Sequence, residues 1–166
     1  MSERNGTVVC PGSYDPVTNG HIDIITRTSK VFDRVVVGVV NNPIRKQTTL
    51  FTAEERRAFI EEATADIANV EVQIFANLLV EFARENGAKA IVKGMRAISD
   101  FEYEFEMAQL NRKLDPDMES IYMIASPQYS FLSSTGVKEM ATFKGDVSDL
   151  VPASVASAMA ERLGER

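Results

Sequence analysis

The sequence predicts an α/β fold: five strands in one parallel sheet, helices on both of its faces, and a closing C-terminal helix. Three observations predict it. Short runs rich in β-branched residues recur at Thr7–Cys10, Arg34–Val40, Val70–Phe75, Ala90–Val92 and Ser120–Ala125. Most of these runs lack the polar alternation of a strand with one wet face, as expected for strands buried on both sides. The segments between them carry apolar residues at helical spacing. These are Ile22, Ile25 and Phe32 in the first, Phe59, Ala63 and Ile67 in the second, and Val80 and Ala83 in the third. A parallel crossover needs a dozen or more residues, and a helix fills it. Alternation of this kind is the pattern of a doubly wound, Rossmann-like sheet.

Several helix starts are marked. Thr52-Ala-Glu-Glu55 and Ser99-Asp-Phe-Glu102 read as capping boxes, in which hydroxyl and carboxylate satisfy each other's end amides. Pro152 suits the first turn of a last helix running to about Leu163, with Val155, Met159 and Leu163 on one face. No repeat, low-complexity tract or linker divides the chain, so residues 1–166 are expected to form one domain.

Composition narrows the function classes. A chain of 166 residues, 45% hydrophobic and 25% charged, is ordinary for a globular protein with a real core. Its formal charge of −6 argues against a broad nucleic-acid surface, because phosphate-backbone binding depends on Lys and Arg displacing counterions. Local basic clusters still suit a nucleotide. The single cysteine, Cys10, has no partner for an intramolecular disulfide, which fits a reducing compartment. Met1 to Gly6 is short and polar, and no run approaches the roughly 20 apolar residues of a bilayer span. A cytoplasmic protein with neither nucleic-acid nor membrane partners is expected.

Three segments carry the chemistry, and each follows a predicted strand. In open α/β sheets ligands bind beyond the carboxyl ends of the strands, at a switch in strand order, so the three are expected to converge. The first is Pro11-Gly-Ser-Tyr-Asp-Pro-Val-Thr-Asn-Gly-His21. Gly12 and Gly20 allow close backbone approach, and His21 opens a helix, where anions are favoured. Alone, such a histidine reads equally as a helix cap. The second is Lys93-Gly-Met-Arg96, read as a loop in which two cations bracket Gly94, leaving room for a phosphate ligand. The third is Tyr129-Ser-Phe-Leu-Ser-Ser-Thr135, whose hydroxyls and helix-start amides can cradle phosphate or, more simply, cap a helix.

Thr18-Asn-Gly-His21 is similar to the T/H-x-G-H signature of the nucleotidyltransferase superfamily, and Ser133-Ser-Thr-Gly-Val-Lys138 to its S-S-T-x-[IV]-[KR] signature. The order and spacing of all three segments, from Val8 to about Leu163, resemble bacterial phosphopantetheine adenylyltransferases. That resemblance implies transfer of AMP from ATP to 4'-phosphopantetheine, giving dephospho-coenzyme A and pyrophosphate. It implies His21 as transition-state stabiliser and a nucleotide site of Ser13, Tyr14, His21, Gly94, Met95, Arg96, Glu104, Tyr129, Ser130, Phe131, Leu132, Ser133, Ser134 and Thr135. It implies acceptor contacts from Ser13, Leu79, Lys93 and a lysine soon after Asn42-Pro43. The loop here reads Asn-Pro-Ile-Arg-Lys-Gln-Thr-Thr-Leu-Phe51 and is about two residues longer than common versions, so Arg45 or Lys46 fills that role. Lys46 is preferred as a compact point charge. No metal ligand is implied in the protein, Mg²⁺ arriving on the ATP phosphates, and the resemblance also implies a homohexamer.

Acceptor phosphate is already an anionic nucleophile, so attack on the α-phosphorus requires positioning and charge stabilisation rather than a base or a covalent intermediate. Two rival readings have distinct signatures. Another superfamily enzyme, a nicotinamide-nucleotide adenylyltransferase or a cytidylyltransferase, would prefer another acceptor or nucleotide. A silent nucleotide-binding module would release no pyrophosphate.

Overall fold

The computed structural model describes residues 5–44 and 48–164. Five strands, β1 (Thr7–Gly12), β2 (Arg34–Val40), β3 (Val70–Phe75), β4 (Ala90–Met95) and β5 (Glu119–Ile124), form one sheet in the order β3-β2-β1-β4-β5. Every pairing is parallel. The connecting helices are α1 (Asn19–Val31), α2 (Ala53–Ala63), α3 (Leu79–Glu85) and α4 (Ile98–Leu114), followed by α5 (Ser134–Thr142) and α6 (Ala153–Gly164). A short 3₁₀ turn at Pro127–Tyr129 precedes α5.

Valine runs build the sheet because branched side chains fit a pleated surface with cover on both faces. Alternate residues divide between two cores. Val8, Cys10, Val35, Val37 and Val39 face Ile25, Ile60, Val137, Val155 and Met159. Val9, Val36 and Ile91 face Val80, Phe82, Ala83 and Met118. Gly38 is required by this second layer, since a Cβ there would lie 2.6 Å from Phe82 and 3.1 Å from Phe75. Those two rings stack at 4.4 Å between centroids.

Three sequence expectations are corrected. The Ser99–Glu102 capping box does not form; α4 starts at Ile98 with Ala97 as its N-cap, and Asp100 instead accepts from the Arg96 N–H. The turn is claimed by Asp100, whose carboxylate also meets the Arg96 side chain. Ile67 lies beyond α2, which ends at Ala63 and is capped by Thr64. The β4 ladder continues past Val92, because Lys93, Gly94 and Met95 pair with Tyr122, Met123 and Ile124 of β5. The Thr52–Glu55 box is present on both sides, and Val155 and Met159 bury one face of α6.

Candidate active site

The strand order reverses between β1 and β4, and there the sheet parts. β1 matches β2 at six residue pairs, but it matches β4 only at Val8 with Ala90 and Val9 with Ile91. Beyond those pairs the two strands carry their separate segments, Gly12 to His21 and Lys93 to Arg96, to the carboxyl edge of the sheet. This is the crevice position that binds ligands in doubly wound folds.

The first segment is packed tightly. Tyr14 adopts a left-handed backbone at φ 49°, an unusual conformation for a residue with a Cβ. Its ring lies over Gly12, where a Cβ would come within 3.0 Å of it, and its hydroxyl donates to the Cys10 carbonyl at 2.9 Å. Burial pushes this phenol well above its ordinary pKa. The chain then reaches Thr18, N-cap of α1, in a reciprocal box with His21. The His21 N–H donates to Thr18 Oγ1 at 3.3 Å, and the Thr18 N–H donates to His21 Nδ1 at 3.0 Å. A neutral imidazole accepting at Nδ1 carries its proton on Nε2, so Nε2 is the ring's donor. The Tyr14 ring meets the imidazole edge-on at 5.0 Å.

Lys93, Gly94 and Met95 of the second segment lie on β4 rather than in a loop, so the strand itself sets where Lys93 projects, and Arg96 follows directly after it. Lys93 Nζ is 3.0 Å from Glu104 Oε2 on α4, with both side chains mostly buried. That oxygen has no aligned hydrogen bond, so the two meet as charges. The Tyr122 hydroxyl donates to the Glu104 carbonyl at 3.0 Å. Arg96 pairs with Asp100 at 3.2 Å. Burial raises the Asp100 pKa, but the Arg96 hydrogen bonds outweigh it and hold the carboxyl below its usual value. At Gly94 the space a Cβ would occupy is already taken by Ile24 of α1, 2.9 Å away. Its lack of a side chain thus admits Ile24 on that face.

The third segment both caps a helix and closes the site. Ser133 is the N-cap of α5, accepting from the Gly136 N–H at 3.0 Å. Ser134 Oγ donates to the Pro16 carbonyl at 2.7 Å, and Arg96 Nη1 donates to the Leu132 carbonyl at 2.8 Å. These bonds join the third segment to the first and the second, so the expected convergence is present. Ser130 donates to Pro127, Leu132 is buried, and Phe131 stands 71% exposed. Tyr129 ends the 3₁₀ turn, and Thr135 lies exposed in the first turn of α5.

Leu79 is the first residue of α3, at the carboxyl end of β3, packed against the second core. Arg45 and Lys46 lie outside the described residues. Among the described residues, no group of three or more His, Cys, Asp or Glu side chains could hold a metal ion. Sequence reasoning missed Asp15, Arg56 and Lys138. Asp15 and Lys138 stand inside the quoted motifs and form an ion pair at 3.2 Å, while Arg56 is fully buried. The available signal for Arg56 was its place in the buried stripe Ala53, Arg56, Ile60.

An open parallel sheet with three phosphate-type segments meeting at its switch point defines a nucleotidyltransferase-type architecture. The chain matches the cytidylyltransferase-like family over residues 9–140. It is similar to a solved structure described as a putative nicotinate-nucleotide adenylyltransferase from Vibrio parahaemolyticus, with a TM-score of 0.68 over 94% of this chain and 92% of that one. At 15% identity, that likeness concerns the fold alone. It is 53% identical over 154 residues to the phosphopantetheine adenylyltransferase of Alkaliphilus metalliredigens, covering 93% of this chain and 97% of that protein. It is 56% identical over 144 residues to that of Rubrobacter xylanophilus, covering 87% of each. The chain belongs to the phosphopantetheine adenylyltransferase family.

Proposed function

We propose that the protein transfers AMP from ATP to 4'-phosphopantetheine, releasing pyrophosphate and forming dephospho-coenzyme A. The observation that carries this reading is the His21 imidazole, its Nδ1 occupied by the Thr18 N–H and its proton therefore on Nε2, at the start of α1 beside the parted strands. A donor held this way is preorganised for a phosphate oxygen gaining charge, and preorganised donors act most on the transition state. Family membership supplies the substrate pair.

In this reading the sheet order sorts the substrates. Acceptor contacts fall mainly beyond β2 and β3, at Lys46 and Leu79, and nucleotide contacts beyond β4 and β5, at Gly94 to Arg96 and Tyr129 to Thr135. Ser13 and His21 stand between them. Lys93 takes the acceptor phosphate and Glu104 the nucleotide. Tyr14 offers its backbone, because its phenol is committed to Cys10. Mg²⁺ carried on the ATP phosphates would screen their charge.

We also place the protein in the cytoplasm as an assembly of copies, the homohexamer of its family. α4 supports this, since Phe101, Phe105, Leu110 and Leu114 are each at least half exposed on opposite flanks of the helix. A helix apolar on several sides is normally a buried one. A hollow of about 170 Å³ between α4 and β5, lined in part by Phe101, Phe105 and Tyr122, extends that surface.

The test is pyrophosphate release with ATP and a panel of acceptors. Phosphopantetheine should turn over and pantetheine should not, because the missing phosphate is the nucleophile. Comparable turnover of both compounds would refute direct attack, and preference for another phosphorylated acceptor would move the chain to another substrate class.

A further inference from the structure

Two charged side chains, one within the first segment and one packed against it, are fully buried, and the proposed mechanism uses neither. Arg56, on α2, is 1% exposed, and Asp15 is 0% exposed. Burying either charge costs several kcal/mol unless its hydrogen-bonding capacity is filled. Arg56 is filled by backbone carbonyls, and Asp15 by two backbone amides and the Lys138 ammonium.

Arg56 Nε donates to the Phe51 carbonyl at 3.1 Å. Its Nη1 donates to the Ser13 carbonyl at 2.7 Å and the Val40 carbonyl at 2.8 Å, and its Nη2 to the Asn41 carbonyl at 3.0 Å. One planar fork therefore holds the end of β1, the end of β2 and the approach to α2. Asp15 grips the same region from the other side. Its two oxygens accept from the Leu50 N–H at 2.9 Å and the Phe51 N–H at 3.0 Å, and Lys138 of α5 completes it at 3.2 Å. The segment leaving β2 is thus clasped at both of its stems, Val40–Asn41 and Leu50–Phe51, to the backbone that carries Ser13 and leads to His21.

We propose that Arg56 and Asp15 are positioning residues, which set the two stems Val40–Asn41 and Leu50–Phe51 at a fixed distance from Ser13 and His21 so that the two substrates meet in line. The proposal rests on the adenylyltransferase reading, in which the segment between these stems serves the acceptor. A guanidinium suits this task because its donors lie in a rigid plane, which an ammonium cannot reproduce.

The test uses the full chain with Arg56→Lys and Asp15→Asn. Thermal unfolding establishes folding, calorimetry with ATP alone measures nucleotide affinity, and pyrophosphate release gives kcat and the acceptor KM. Hydrogen exchange is followed at the amides of Leu50 and Phe51. In folded Arg56→Lys, kcat should fall by about tenfold to a hundredfold with a raised acceptor KM, since small misplacements carry losses of that order. ATP affinity should stay within about threefold, and both amides should exchange faster. Asp15→Asn should shift the same quantities in the same direction. It carries the decision if Arg56→Lys does not fold. Folded variants with lowered melting temperature but wild-type kcat, acceptor KM and exchange would overturn the proposal. If the wild-type protein released no pyrophosphate, the functional reading would fall. Unchanged exchange at Leu50 and Phe51 would overturn the clasp in either case.

Discussion

The start of α1 and the outer edge formed by α4 and β5 both carry apolar side chains and end in opposite conditions. Around α1, Val17 and Thr18 are almost wholly buried, Tyr14 is 6% exposed, and the polar groups among them meet partners in the same chain. On α4, only Asn111 is buried, while Ile98 is 85% exposed and Phe101 and Phe105 about half exposed. The first region is finished within one chain; the second leaves apolar surface of a kind that soluble monomers rarely show in one place. Under the proposed function, the chemistry would lie where the chain is self-sufficient, and the contact between copies where it is not.

The largest expected effect is at the finished region. His21→Ala removes both the Nε2 donor and half of a capping box, and kcat should fall by about 10²–10³, or roughly 3–4 kcal/mol. Thr18→Ala removes the cap alone, with a stability loss of about 1 kcal/mol, and should leave kcat within a few-fold. Steady-state kinetics beside urea unfolding separate the two roles. Equal kcat losses would mean that His21 matters only as a cap.

Gly38→Ala asks how closely the interior is fitted. With Phe82 2.6 Å from the new Cβ, unfolding in urea should show a loss of about 1–3 kcal/mol. No loss would mean that the Phe75–Phe82 pair shifts freely.

A third prediction uses the buried thiol. Burial pushes Cys10 up to about 12, against an opposing side-chain hydrogen bond with Thr28. The folded protein holds that proton more tightly than the unfolded chain, whose thiol titrates near ~8.5. This contribution is therefore complete below about pH 8.5 and lost as pH rises toward 12. Melting temperature should decline across that window, and less steeply in Cys10→Ala. Identical slopes would place the alkaline loss elsewhere, with the Tyr14 phenol the next candidate.

The smallest stability effect should come from the unfinished edge. Phe105→Ser should change monomer stability by only about 0.5 kcal/mol, as expected for an exposed site. Its particle mass in sedimentation should nevertheless drop. An unchanged mass would show that this face is not where copies meet.

Strands were the most legible part of the fold. Runs such as Arg34-Val-Val-Val-Gly-Val-Val40 state both their conformation and their two-sided burial. Where β4 stops was not legible, because Lys93-Gly94 has the composition of a loop and is held in the ladder only by β5. Ser99 misled for a related reason: two acids follow it closely, and only the fold shows that Asp100 is engaged by Arg96. For the site, Thr18 to His21, Lys93 to Arg96 and Ser133 to Thr135 were recognisable because their chemistry is local. Arg56 was hidden, since its worth comes from carbonyls in three separate stretches, at Ser13, Val40–Asn41 and Phe51, that only the fold brings together.

The parting of β1 from β4 also shapes how the molecule comes apart. Each neighbouring pair elsewhere in the sheet is joined by six matched residues, and the two halves by only two. Cooperative unfolding units tend to divide where such connections are fewest. The seam assigned to the substrates under the proposed function is thus also the sheet's thinnest joint. Any ligand spanning it acts as a splint, stabilising the native state by mass action while fastening one half of the molecule to the other.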